Sequence, residues 1–294
     1  MKPPRVAAIL LAACVVLLVG WPAQASARAK SAARGSNVTE DTVAGGKHWR
    51  FAGSRGVIHV WIPEGYDPTY AGTVVYVHGY RSSADASWRD FHLAAQFKAS
   101  RQNAVFIVPD APSGNGDGLH YETLTGLLKL VWRNTHVERP WGAIVIIGHS
   151  GAFRTIVPWL DYTAIDHVIL LDALYASESS FRTWLVAAKG HDSNKITIIG
   201  EDTSGRAQAF INQFKGVIRM KRVPGSWDEL NKTQRTARVL YMQSQFGHME
   251  LVSSGKVIPL ILRRTPLHAL GDKPAPPVDV HPGYVWQDPA PFGK

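Results

Sequence analysis

The five residues Gly148-His149-Ser150-Gly151-Ala152 set a serine among small neighbours, directly after the apolar run Ala143 to Ile147. Serine is a weak nucleophile unless a base within hydrogen-bond reach takes its proton and a third group orients that base. At a sharp turn from strand to helix, such a hydroxyl is lifted above the sheet on strained backbone angles. The turn crowds the residues two positions either side, so small side chains are needed at Gly148 and Ala152. The pentapeptide alone is a weak signal. Its weight comes from the strand before it and from partners placed elsewhere in the chain.

A base is available late in the sequence. Of the 12 histidines, His248 follows the last strand-like segment, in Ser244-Gln245-Phe246-Gly247-His248. Gly247 leaves that loop free to turn the imidazole back over a sheet. His149 is expected to point away from the site and pack, and His78 to support the neighbouring loop. Two strand-end carboxylates are candidates for the orienting acid. Asp172 ends Ile169-Leu170-Leu171-Asp172, 22 residues after Ser150, and Asp202 lies in Ile199-Gly200-Glu201-Asp202.

The elements that must position these groups alternate along the chain. Strand-like segments are Val57 to Ile62, Thr73 to Val77, Ala104 to Val108, Ala143 to Ile147, His167 to Leu171, Ile196 to Ile199 and Arg238 to Met242. Helical segments are Ala84 to Ser100, Tyr121 to His136, the stretch after Ser150, Ser179 to Lys189, Arg206 to Phe214 and Met249 to Leu262. Buried apolar strands alternating with helices imply an α/β fold, with a mostly parallel central sheet flanked by helices on both faces. Sites in such sheets form at the carboxyl ends of the strands. Between Leu171 and Ile196 there is room for about one helix, so little or no lid is expected.

With the serine turn, the His78-Gly79-Tyr80 string, a strand-end acid and the late Gly247-His248 in this order, the chain resembles the α/β-hydrolase superfamily from about Gly56 to Leu262. The resemblance implies an oxyanion hole built from the backbone N–H groups of Tyr80 and Gly151. It also bears on the acid. Many members use the later strand, at a place that holds Thr203 here, so Asp202 stands one residue early. Asp172 resembles the arrangement of pancreatic-type lipases, where an Asp ends the preceding strand, and is the favoured acid, with Asp202 the alternative. Ala152 departs from the commoner glycine.

Composition bounds the rest. Lys2 and Arg5, the apolar Val6 to Val19, and the small-residue sites Ala23-Gln24-Ala25 and Ala25-Ser26-Ala27 have the anatomy of a secretory signal peptide. The apolar run is short for a membrane span, which needs about 20 residues. Cys14, the single cysteine, falls inside that run, so a processed protein has neither disulfides nor thiolate ligands. The formal net charge of +9 is spread over dispersed Lys and Arg, with no basic cluster that suggests nucleic acid. The expected organisation is a signal peptide (1–27), a flexible leader (28–46), one domain (47–270) and a proline-rich arm (271–294).

Together these features predict a secreted or periplasmic serine hydrolase acting on small or polymer-linked carboxylic esters. No cofactor, metal, nucleic-acid partner or stable membrane insertion is expected. Asp110 and Asp117, in the loop from Pro109 to Gly118, are candidates for contacting substrate or a cation, against a plain turn-rich loop. Alternatives on the same residues are an envelope acyltransferase, a peptidase, or a binding protein that has lost the chemistry.

Overall fold

The computed structural model describes residues 38–53, 55–187 and 194–272. The strands are β1 (Val38–Val43), β2 (Gly46–Gly53), β3 (Gly56–Ile62), β4 (Gly72–Val77), β5 (Ala104–Pro109), β6 (Ile144–His149), β7 (Ile165–Leu171), β8 (Lys195–Gly200), β9 (Ile218–Met220) and β10 (Val239–Gln243). The helices are α1 (Ala84–Asp90), α2 (Leu93–Ser100), α3 (Leu124–Thr135), α4 (Phe153–Trp159), α5 (Glu178–Val186), α6 (Ser204–Ile211), α7 (Lys232–Thr236), α8 (Glu250–Ser253) and α9 (Val257–Leu262).

One sheet runs in the order β1-β2-β3-β5-β4-β6-β7-β8-β10-β9. The first three strands pair antiparallel, with β3 antiparallel to β5. From β5 onward every pairing is parallel. The central strands are mainly apolar because both faces are covered. Val75 and Val77 of β4, Ile146 of β6, and Val168 and Leu170 of β7 join the core on one face, with Leu127 of α3 and Ile156 of α4. Val74, Tyr76, Val145, Ile147, Ile169 and Leu171 alternate onto the other face, with Phe97 of α2 and Ile258 of α9. A residue-by-residue alternation between two dry faces is what a continuous Val/Ile/Leu run signals.

The structure corrects several boundaries. Within the leader expected through residue 46, Val38–Val43 forms β1, which pairs along its whole length with β2. His48 and Arg50, alternating with buried Trp49 and Phe51, keep β2 from reading as an apolar run. Ala84 to Ser100 is two helices, broken where His92 takes a left-handed conformation (φ 50°). Gln96, buried, donates to the carbonyls of Phe91 (2.7 Å) and Val252 (2.6 Å), satisfying backbone that a continuous helix would have bonded itself. The last helical stretch likewise divides at Gly255, where φ is 72°. The expected signal peptide and most of the proline-rich arm lie outside the described residues. Among the described residues no helix is long and apolar enough to cross a membrane.

Candidate active site

Five neighbouring strands of the parallel sheet, β4, β6, β7, β8 and β10, end on the same edge. Their carboxyl ends carry, in that order, His78-Gly79-Tyr80, Ser150, Asp172, Glu201 to Thr203, and the loop to His248. β6 stops at His149, a single short 3-10 turn covers Ser150–Ala152, and α4 follows at once. Ser150 sits in the left-handed region at φ 55°, an uncommon place for a residue with a Cβ. The crowding expected around it is present. A Cβ on Gly148 would lie 2.3 Å from Ile156 Cδ1 and 3.1 Å from the Cβ of Ala152. A Cβ on Gly79 would lie 2.6 Å from the Cβ of Ser150 and 3.2 Å from its Oγ. A strained serine at the strand-to-helix turn of a central parallel strand, with the end of β4 pressed against it, decides the architecture. The fold is that of the α/β-hydrolases.

In this α/β-hydrolase fold Asp172, not Asp202, meets the late histidine. Asp172 is fully buried, also left-handed (φ 47°), and receives His248 Nδ1–H on Oδ2 at 2.6 Å. The loop after β8 wraps the carboxylate. The amides of Glu201 and Thr203 donate to Oδ1 at 2.9 and 2.8 Å, the amide of Asp202 donates to Oδ2 at 3.2 Å, and the Thr203 hydroxyl donates to Oδ1 at 2.6 Å. Burial pushes this carboxyl up, but the bonds from His248 and Thr203 and the loop amides prevail, holding it well below the usual range. Asp202 keeps a largely exposed carboxylate, with Oδ2 3.9 Å from His248 Nδ1. Its direct bond to Asp172 is through its backbone N–H. Thr203, which occupies the later-strand acid position, serves Asp172 as a donor, a role the sequence hinted at only by location.

His248 is about a quarter exposed. Its bond to Asp172 raises its pKa; burial opposes this, while the charges of Asp172, Asp202 and Glu201 add to it. The neighbouring histidine is tied in as well. His149 Nε2–H donates to the carbonyl of His248 at 3.1 Å, and the two rings lie 4.6 Å apart. Burial, then the His248 charge, pushes His149 down to about 4, which keeps it neutral. So His149 packs, as expected, but it also joins the serine turn to the histidine loop. Among the described residues no hydrogen bond links Ser150 Oγ to His248. Serine–base contacts are often long without substrate and tighten when it binds.

On the other side of Ser150, no acceptor among the described residues takes the Tyr80 N–H. Gly151 stands in the first turn after β6, where helical N–H groups have no intrahelical partner. The Tyr80 ring is held by Arg154 of α4, which donates to Tyr80 Oη (3.2 Å) and to the carbonyls of Gly114 (2.8 Å) and Asp117 (2.9 Å). Arg154 was not singled out from sequence; its place four residues after the serine was the available signal. The two loop aspartates both accept hydrogen bonds from within the chain. Asp110 accepts from the amides of Val57 (2.7 Å) and Ala84 (2.6 Å), and Asp117 from the amide and hydroxyl of Ser113 (2.9 and 2.8 Å).

Asp172, Glu201, Asp202 and His248 each bring one potential metal-ligating atom within 4.8 Å of the others. Both oxygens of Asp172 already carry donors, an environment built to hold an imidazole. A cavity of about 640 Å³, lined by Glu40, Gly46, Lys47, Ile62 and Glu64 among others, lies at the ends of the strands opposite Ser150.

No protein-family model and no curated protein matches this chain. Solved structures similar to it include an S-formylglutathione hydrolase from Agrobacterium tumefaciens, at TM-score 0.46 and 13% identity over 79% of this chain and 100% of that chain. The feruloyl esterase module from Clostridium thermocellum, solved with sinapinate, gives 0.49 and 11% over 79% and 87%. Est1E from Butyrivibrio proteoclasticus gives 0.42 and 13% over 77% and 98%. The fold stands on the strand order and the serine turn, independently of these likenesses.

Proposed function

We propose that the chain is an exported serine hydrolase that cleaves carboxylic esters through an acyl-enzyme on Ser150. One observation carries this: a buried carboxylate, Asp172, accepts the Nδ1 proton of His248 at 2.6 Å, one strand over from a serine on a left-handed turn. With Nδ1 protonated and fixed, the lone pair of His248 is on Nε2, the atom that must receive the serine proton. Ser150 Oγ attacks the ester carbonyl carbon as its proton passes to His248 Nε2. The charge that forms on the carbonyl oxygen is taken by the Tyr80 and Gly151 N–H groups, each such donor typically worth about 10²–10³ in rate. Collapse expels the alcohol, which takes the proton from His248. Water then repeats the sequence on the acyl-serine, releasing the acid and restoring Ser150.

The surroundings favour an accessible ester. Ser150 is partly exposed, and the described residues between β7 and β8 hold one helix, α5. That suits small soluble esters or acyl groups projecting from a polymer. Export is inferred from the basic, apolar and small-residue order of the first 27 residues.

The test is labelling of the purified protein, from residue 28 onward, by a fluorophosphonate, read by intact mass beside Ser150→Ala. One adduct on the parent and none on the variant is expected. A folded parent that stays unlabelled would overturn the mechanism.

A further inference from the structure

His78 is fully buried at the end of β4, and its two ring nitrogens are committed to two different backbone groups. The amide of Ala111 donates to Nε2 at 2.9 Å. A nitrogen that accepts an N–H carries no proton of its own, so the neutral ring holds its proton on Nδ1. Nδ1 lies 2.8 Å from the carbonyl oxygen of Gly79 and therefore donates to it. The opposite tautomer would set N–H against N–H on one side and a bare nitrogen against a carbonyl oxygen on the other. Asp110 Oδ1 lies 3.9 Å from Nε2, beyond hydrogen-bond reach, so the two backbone contacts select a single form of the ring.

That bond reaches the chemistry through one peptide plane. The Gly79 carbonyl and the Tyr80 N–H belong to the same peptide unit, which is trans, so they point in opposite directions. Fixing the oxygen fixes the N–H. The peptide needs fixing, because Gly79 has the freest backbone of any residue type and lies against the Ser150 side chain. Rotated by half a turn, the unit would present a carbonyl oxygen beside the serine in place of a donor. Such an orientation repels a developing oxyanion. The remaining ties to Tyr80 act beyond that plane: Arg81 N–H donates to the Ser113 carbonyl at 2.9 Å, and Arg154 holds the phenol.

We propose that His78, through its Nδ1–H bond to the Gly79 carbonyl, is a positioning residue that sets the direction of the Tyr80 N–H toward the oxyanion. This rests on the assignment of Ser150 and Tyr80 made above. His78 touches no reacting atom; its effect falls on steps in which charge builds on the carbonyl oxygen, and not on substrate binding.

Two variants separate the two halves of the ring. In His78→Asn the side-chain amide nitrogen occupies the position of Nδ1, so the donor to Gly79 is kept. In His78→Gln the amide reaches the position of Nε2, so the acceptor for Ala111 is kept and the donor is lost. With p-nitrophenyl acetate, Gln is expected to lose about 10² in kcat with little change in KM, the scale of one oxyanion donor. Asn is expected to retain most of the rate. Affinity for an aryl trifluoromethyl ketone, whose serine adduct carries the oxyanion, should fall in Gln alongside kcat. A buried histidine that merely fills space would cost both variants alike, and equal losses refute the proposal. Histidine ¹⁵N spectra of the unaltered protein give a measurement that needs no variant: a protonated Nδ1 and bare Nε2 are expected for His78, and the reverse tautomer overturns the idea. A parent protein with no reaction at Ser150 removes the hydrolase assignment itself, whereas an active parent whose Gln variant stays fully active removes His78 alone.

Discussion

Replacing Asp172 by Asn keeps the shape of the side chain and changes what it can accept. Oδ1 now receives three donors, from Glu201 N, Thr203 N and Thr203 Oγ1 at 2.9, 2.8 and 2.6 Å, while Oδ2 receives His248 Nδ1 and Asp202 N at 2.6 and 3.2 Å. An amide has one oxygen to offer. Facing the three-donor side, it turns its NH₂ toward His248, and the imidazole must then present a bare Nδ1 and carry its proton on Nε2. In that tautomer His248 has no lone pair for the serine proton. The equivalent change in a serine protease triad costs about 10⁴ in kcat, or roughly 5 kcal/mol at about 1.4 kcal/mol per tenfold. Asp202→Asn removes only a largely exposed charge 3.9 Å from Nδ1, and a loss under about threefold is expected. Initial rates on p-nitrophenyl acetate and second-order rates of fluorophosphonate labelling measure both, with circular dichroism confirming that each variant is folded. An Asp172→Asn protein retaining more than a tenth of the parent rate would refute the reasoning. So would an Asp202→Asn protein damaged as severely.

Two further outcomes follow from the same contacts. In the proposed mechanism neutral His248 is the active form, and its pKa is raised above the ordinary 6.5, chiefly by its bond to Asp172, so the labelling rate should climb with pH about a midpoint above 6.5. Asp202→Asn removes charge that favours the imidazolium and should move that midpoint down; a midpoint below 6.5 in the parent contradicts the assignment. Thr203→Val deletes a buried hydroxyl bonded to a carboxylate, a contact worth about 2 kcal/mol. Urea unfolding should show a loss of that order, recovered by Thr203→Ser, and equal stability of the Val variant would argue against the bond.

What could be seen in the sequence depended on whether a signal was local. The strands from β4 to β8 are buried on both faces over most of their length, so each reads as a mainly apolar run whatever its neighbours do. β2 escapes that reading, since one row of its side chains is polar and it is specified by pairing with β1 and β3. The breaks at His92 and Gly255 reflect packing against other helices, although a glycine after two serines marked the second. Within the site, chain order brought Ser150, Asp172 and His248 together for consideration. It did not distinguish Asp172 from Asp202, because that choice depends on which carboxylate the β8–α6 loop encloses. Nor did the sequence show that Asp110 ties β3 to the start of α1, since its partners are backbone amides 53 and 26 residues away.

The wrapping of Asp172 has a consequence for when the protein becomes reactive. Its carboxylate joins the end of β7 to the loop after β8 and to a histidine 76 residues further along, after β10. None of these partners is local, so the carboxylate–imidazole pair cannot form until three strands have been laid side by side. A chain still emerging from synthesis, threaded through a membrane or truncated before β10 holds Ser150 and Asp172 with nothing to activate the hydroxyl. On the proposed mechanism, reactivity at Ser150 is therefore a late event of folding, and its appearance in time would report completion of the carboxyl-terminal half of the sheet.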